Sequence, residues 1–210
     1  MQYHILILEN ELEMGGKEKL LYQFFERFDR TRFRFSVCCL KQGGYYSERI
    51  RALGIPVHEG LLRHRYDALA FRSLARIMRA DRVHLVETFA HPNTVLFSFL
   101  ARQQGLADRV TISHHAIGSG FRRRVLPSYL LPVLRRMDAH LAVAEAQRRY
   151  LVDVEGIPEE RVHLVYNGID ADQYHAAGSG EREAIRHEIG VPGGALVLMA
   201  VGSLKPLKGF

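Results

Sequence analysis

Short apolar runs that do not alternate recur from Met1 to Val165, and each is followed by a stretch with helical spacing. Residues 3–8 (YHILIL) are the first such run. A strand covered on both faces reads this way, whereas a strand with one wet face alternates. Further strands are expected at 55–58, 83–86, 110–113, 139–143 and 162–165. Residues 33–40 do alternate, with Phe33, Phe35, Val37 and Cys39 against Arg34, Ser36 and Cys38, which suits a strand nearer the edge. Between the runs lie amphipathic stretches: Leu20, Leu21, Phe24, Phe25 and Phe28; then Ala70, Leu74, Ile77 and Met78; then Val95, Leu96, Phe99 and Leu100 behind Pro92. A long helix is expected over 122–137, kinked at Pro127 and Pro132, and another over 145–153, closed by Gly156. Strand and helix in strict alternation give an α/β doubly wound, Rossmann-like parallel sheet with right-handed crossovers. Such sheets bind ligands at the carboxyl ends of their strands, where Gly15-Gly16, residues 87–91 and residues 113–120 converge.

The pattern changes after residue 174. AAGSG at 176–180 reads as a linker, 181–189 as a helix, and 195–201 (ALVLMAV) as the buried first strand of a second α/β domain whose remainder is not in this chain. The domain division expected is therefore 1–174 and 175–210. Net charge is +6 with a pI near 9.5, which suits an anionic partner such as a nucleotide, phosphate or lipid headgroup. The arginines are spread over helices rather than gathered in one tail, so nucleic acid is not expected. Cys38 and Cys39 are adjacent on a strand and point to opposite faces, which excludes a disulfide framework and suits a reducing compartment. No apolar run approaches the roughly 18 residues of a spanning helix. The expectation is a cytoplasmic protein, at most peripheral on the inner membrane face.

One segment carries a family resemblance. Residues 138–174 (DAHLAVAEAQRRYLVDVEGIPEERVHLVYNGIDADQY) read as strand, helix, turn, strand and an Asn167-Gly168 turn. The passage resembles the hinge approach of family 4 glycosyltransferases, with Ala144 where the family usually has Ser. The C-terminal VGSLKPLKGF is similar to the loop that opens the family's donor domain. There Gly202 and Lys208 match, and Ser203 stands in place of the Arg that helps to grip the diphosphate. Ser cannot form a bidentate charged pair, so that departure weakens the match to the phosphate grip. Gly15-Gly16-Lys17-Glu18 resembles the family's G-G-x-E turn, where backbone N–H groups and a helix N-terminus meet a phosphate or sugar.

The resemblance implies a GT-B fold and a retaining, metal-independent transfer from a nucleotide-diphosphate sugar to a saccharide or lipid acceptor, without a cofactor. It assigns donor contacts to Gly15, Gly16, Gly202, Ser203 and Lys208, and matches His115 to the family's strand-end catalytic His. Strand alternation turns His114 away from His115. His91, Glu87 and His114 are the acceptor-side candidates. Adjacent histidines converge poorly on a metal, and no partner has ligand spacing, so no metal is expected. Asp170-Ala171-Asp172 spells a metal-nucleotide motif but lies in a hinge, where Asp172 reads as a turn cap. Leu126, Leu130, Val133, Leu134 and Met137 form a stripe for packing on the sheet. Arg122, Arg123, Arg124, Arg135 and Arg136 flank it and suit either solvent or an anionic membrane surface. A non-catalytic module binding glycan or anionic lipid is the alternative, with a sugar-nucleotide epimerase as a further one.

Overall fold

The computed structural model describes residues 2–63, 67–115, 126–174, 176–192 and 194–202. Its chain divides into two compact units, Met1–Gly168 and Ile169–Phe210. Unit 1 is built on β1 (Tyr3–Glu9), β2 (Phe33–Cys39), β3 (Val57–His58), β4 (Leu85–Phe89), β5 (Arg109–His114), β6 (Ala139–Ala142) and β7 (Val162–Leu164). All pair in parallel in the order β3-β2-β1-β4-β5-β6-β7. The intervening helices are α1 (Gly16–Arg27), α2 (Ser47–Ala52), α3 (Ala68–Asp81), α4 (Pro92–Gln103), α5 (Leu131–Leu134) and α6 (Glu145–Arg149).

Two cores flank the sheet, as the unalternated runs require. Alternate residues of β1 divide between them. Leu6 and Leu8 pack with Leu74 and Met78 of α3 and Val95 of α4, while Ile7 packs with Leu21 and Phe25 of α1. On the α1 side a Phe25–Phe28–Phe35 cluster has ring centroids 4.8 to 6.3 Å apart, the range in which aromatic edges and faces attract. β2 is buried from Phe35 to Cys39. Its alternation therefore divides two cores rather than core from solvent, and β3 takes the edge instead. Cys38 and Cys39 face these opposite cores as free thiols. Burial pushes the Cys38 thiol up to about 12 and raises Cys39 as well.

Several elements differ from expectation for identifiable reasons. β4 runs on to Phe89, because Thr88 and Phe89 pair with Ile112 and Ser113; Glu87 is thus inside the strand and not in a loop. Among the described residues of 122–137 there is no long helix. Pro127 precedes a single 3₁₀ turn at Ser128–Leu130, and Pro132 sits in the first turn of α5, where its missing N–H costs nothing. Leu126, Leu130, Leu134 and Met137 are nevertheless buried as the stripe requires. α6 widens into a π turn at Tyr150–Val154, and Gly156 ends it at φ +66°, with Arg135 donating to the Glu155 carbonyl at 3.1 Å. In unit 2, Asp170 rather than Asp172 caps the turn at Ala171–Gln173 by accepting from the Asp172 N–H. α7 (Ser179–Glu188) follows. Residues 195–201 form no strand, and Leu196, Leu198, Met199 and Val201 are exposed. A strand needs a pairing edge, and unit 2 offers none among its described residues.

The loop after β2 is held against the loop after β1. A Cβ at Gly44 would lie 2.6 Å from the Leu12 carbonyl oxygen and 2.8 Å from the Glu13 nitrogen. Backbone cannot yield as a side chain would. Gly44→Ala is therefore expected to lower stability by about 1–3 kcal/mol in urea unfolding. An unchanged midpoint would show that the two loops are not locked together.

Candidate functional site

α1 leads from β1 towards β2, whereas α4 leads from β4 towards β5, so the sheet reverses its winding between β1 and β4. Ligand crevices form outside the strand ends at such a switch point. A cavity of about 370 Å³ lies there, walled from the ends of β1, β4 and β5, from the loops after β1 and β4, and from the first turn of α1.

β1 ends in Glu9, a carboxylate closing an otherwise apolar strand, and it is only 2% exposed. It accepts from the Asn10 N–H at 3.0 Å and forms an ion pair with Lys17, the second residue of α1. Lys17 also lies 3.2 Å from the Glu18 carboxylate and 4.6 Å from the centroid of Phe89, at the end of β4. Burial pushes the Glu9 carboxyl up, and Lys17 opposes that shift. The His115 ring meets Phe89 with centroids 5.3 Å apart. The register explains the contact: Phe89 pairs with Ser113, and His115 continues the same face two residues on. Burial, then the charge of Lys17, holds the His115 imidazole below its usual range, so it is neutral at pH 7.

His91 is on the cavity wall and also caps α4, with Nδ1 accepting from the Asn93 N–H at 3.3 Å. Its pKa is likewise lowered, by burial first and then by Lys41. Glu87 is not on the wall. It reaches the wall through Ser113, whose hydroxyl it holds, and also accepts from Thr111 Oγ1 at 3.0 Å. Burial raises the Glu87 carboxyl despite both donors. His114 faces the other core, 4% exposed. His140 Nε2 donates to the Leu134 carbonyl at 2.9 Å, so His140 Nδ1 accepts from His114 Nε2 at 3.0 Å, and the two rings stack. Burial depresses His114 to about 3 and His140 to about 4.

The structure thus brings His115 and His91 to one cavity, sets Glu87 behind Ser113, and places His114 away from all three. Gly15 and Gly16 cap and open α1 beside the cavity without lining it; Gly16 has open space where a Cβ would be, and Gly15 lies against the Glu18 carboxylate. Gly202 ends the described part of unit 2, while Ser203 and Lys208 lie outside the described residues, as do Arg122, Arg123 and Arg124. Sequence reasoning missed Glu9, Asn10, Lys17 and Phe89. The available signal was Glu9 itself, an acid placed directly after an apolar run. No group of three His, Cys, Asp or Glu side chains able to hold a metal ion occurs among the described residues. No helix among them is long and apolar enough to cross a membrane.

Comparison with known proteins agrees with this architecture. The profile of Glycosyltransferase Family 4 matches residues 14–173. D-inositol 3-phosphate glycosyltransferase of Kineococcus radiotolerans is 37% identical over 76 residues, which is 36% of this chain and 17% of that protein. Among solved structures, a glycosyltransferase from Rickettsia africae superposes with a TM-score of 0.70 at 14% identity, covering 92% of this chain and 51% of that one. The Anabaena protein HepE in complex with UDP-glucose superposes at 0.68 with 18% identity, covering 89% of this chain and 50% of that one. The chain therefore spans about half the length of these structures.

Proposed function

Because this chain belongs to Glycosyltransferase Family 4, we propose that it supplies the acceptor side of an enzyme moving a sugar from a nucleotide-diphosphate donor to a saccharide or lipid acceptor. The reaction proposed is retaining and independent of metal and cofactor, in the cytoplasm, with the acceptor in solution or at an anionic membrane surface. The observation that carries this reading is the cavity at the β1/β4 switch point with a neutral His115 on its wall. A neutral imidazole can donate a hydrogen bond to the donor sugar, or to the charge that develops as the glycosidic bond breaks, without a fixed cation beside the leaving group. Glu87 orients the Ser113 hydroxyl towards itself, leaving the Ser113 oxygen lone pairs for an incoming hydroxyl. Gly16, where a Cβ would meet open space, leaves room beside the first turn of α1 for the donor sugar, and Gly15, Gly202, Ser203 and Lys208 are further proposed donor contacts.

A protein continuing past residue 210 is expected to consume a nucleotide sugar in the presence of acceptor. The 210-residue chain alone is expected to be inactive, since it spans about half of the solved structures that it matches. Chromatography of nucleotide products with and without acceptor tests both statements. Product formed by the 210-residue chain would overturn the assignment of the donor site to a second domain. Conversion of the donor without any acceptor would favour an epimerase.

A further inference from the structure

Glu9, Lys17 and Phe89 have no part in the transfer described above, yet all three line the cavity with His115. Glu9, 2% exposed, forms an ion pair with Lys17. The Lys17 ammonium lies over the Phe89 ring, 4.6 Å from its centroid, and Phe89 meets the His115 ring with centroids 5.3 Å apart. A cation is attracted to the face of an aromatic ring, so carboxylate, ammonium and ring hold one another in place beside the imidazole.

Stability does not account for the ion pair. Taking a carboxylate out of water is costly, and burial raises the Glu9 carboxyl even with Lys17 beside it. An uncharged pair of similar shape would tie the start of α1 to the end of β1 about as well. It would not supply a fixed positive charge on the wall next to His115.

The other charged and titratable groups around His115 do not duplicate that charge. Glu18 of α1 is a carboxylate and lies 3.2 Å from Lys17. Glu11, in the loop after β1, is paired with Lys41 at 3.1 Å. His91, in the loop after β4, is neutral at pH 7 because burial depresses it. Glu87 of β4 accepts from Thr111 and Ser113, and His114 turns to the opposite core, where it meets His140. Among the described residues that line the cavity, Lys17 is the one lysine or arginine, with Arg122, Arg123 and Arg124 outside the described residues.

We propose that Glu9 and Lys17 are positioning residues for His115: Glu9 anchors Lys17 against Phe89, and the anchored ammonium keeps the imidazole in its uncharged form. The proposal rests on the role given to His115 above and adds the residues that keep it fit for that role. A proton taken up by His115 would set a second cation beside Lys17, which like-charge repulsion opposes.

Histidine Hε1 resonances of the 210-residue chain, followed by NMR from pH 8 to pH 5, test this. The His115 signal is identified by its loss in His115→Gln. Lys17→Met removes the cation, so His115 is expected to protonate at higher pH than in the wild type. Glu9→Gln keeps an acceptor for Lys17 but takes away the opposing charge, so His115 is expected to protonate at lower pH. A pair that only braces the fold would not move the signal in opposite directions. If Lys17→Met, with its stranded carboxylate, does not fold, Glu9→Gln/Lys17→Met carries the upward shift, because Lys17 is the member of the pair that lies over Phe89. The melting temperature of that double variant is expected at or above the wild-type value. An unmoved His115 signal in the variants that lack Lys17 overturns the proposal, and so does a shift in the same direction for both single variants. Turnover in the longer protein is read separately, and the low-pH limb of kcat is expected to follow the His115 signal. A limb that stays in place while the signal moves overturns the catalytic role of His115 and not this inference. A signal that stays in place overturns this inference and leaves the transferase standing.

Discussion

In a protein that carries both domains, His115→Ala is expected to lower kcat by roughly a hundred- to a thousandfold, or ~2.7–4 kcal/mol, with little change in melting temperature. The imidazole is on the wall of the cavity and touches Phe89, so its removal empties space at the ligand and not in the core. A group that stabilises developing charge acts in the transition state, so KM should move less than kcat. His114→Ala is the opposite case. It opens a hole in the buried core and leaves His140 Nδ1 without its donor, which costs about 1–3 kcal/mol in unsatisfied polarity alone. Its kcat should be close to wild type once the protein is folded. Both quantities should be measured on both variants. If His114→Ala abolishes turnover and His115→Ala does not, the assignment of roles to the two histidines is reversed. If both variants turn over normally, the strand-end histidine has no catalytic part.

Stability of the chain is expected to drop by about 4 kcal/mol between pH 7 and pH 5, from His114 and His140 together. Both are neutral in the folded protein, with pKa values depressed to about 3 and about 4 against an ordinary 6.5. Between those limits the unfolded chain binds protons that the folded chain refuses. The stabilising contribution is therefore complete above pH 6.5 and is lost steadily as pH falls towards 4. Each histidine contributes about 1.4 kcal/mol per pH unit in that window. Glu9 and Glu87, whose carboxyls are raised by burial, work in the opposite direction nearer pH 4.5, so the slope should flatten there. Urea unfolding at pH 7, 6 and 5 reads the slope. His114→Leu/His140→Leu should lose most of that slope and keep only what the depressed His4, His91 and His115 contribute, whatever it costs at pH 7. A wild-type loss under about 1 kcal/mol would mean that the pair can be protonated without unfolding.

The sheet was legible because its signal is local. Runs such as YHILIL, buried on both sides, exclude alternation by themselves. Elements specified by distant partners were not. Residues 195–201 have all the local preference of a buried strand but no neighbour to pair with among the described residues, and they stay irregular. At the site, the divergence of His114 and His115 followed from the period of two, and the structure shows it. The Glu9–Lys17 pair did not follow, because its geometry depends on how sharply the loop after β1 turns into α1. The partner of His114 was also hidden. It required knowing that β6 lies beside β5 with Ile112 opposite His140, which puts His114 and His140 on one face.

The place of β1 has a consequence during synthesis. It leaves the ribosome before the other six strands of its sheet, yet it ends up inside that sheet between β2 and β4. β2 follows soon after and can cover one edge. The other edge keeps its N–H and C=O groups unpaired until residues 85–89 have emerged, with α1, β2, α2, β3 and α3 made in between. During that interval the nascent chain presents a seven-residue strand with an apolar centre at Ile5–Leu8, open to pairing with any other extended segment. The closing contacts, among them the Thr88 hydroxyl donating to the Leu8 carbonyl, span 80 residues of sequence. Assembly of the crevice therefore waits on a contact that spans 80 residues, and a translational pause before residue 85 would prolong the interval in which one edge of β1 is unpaired.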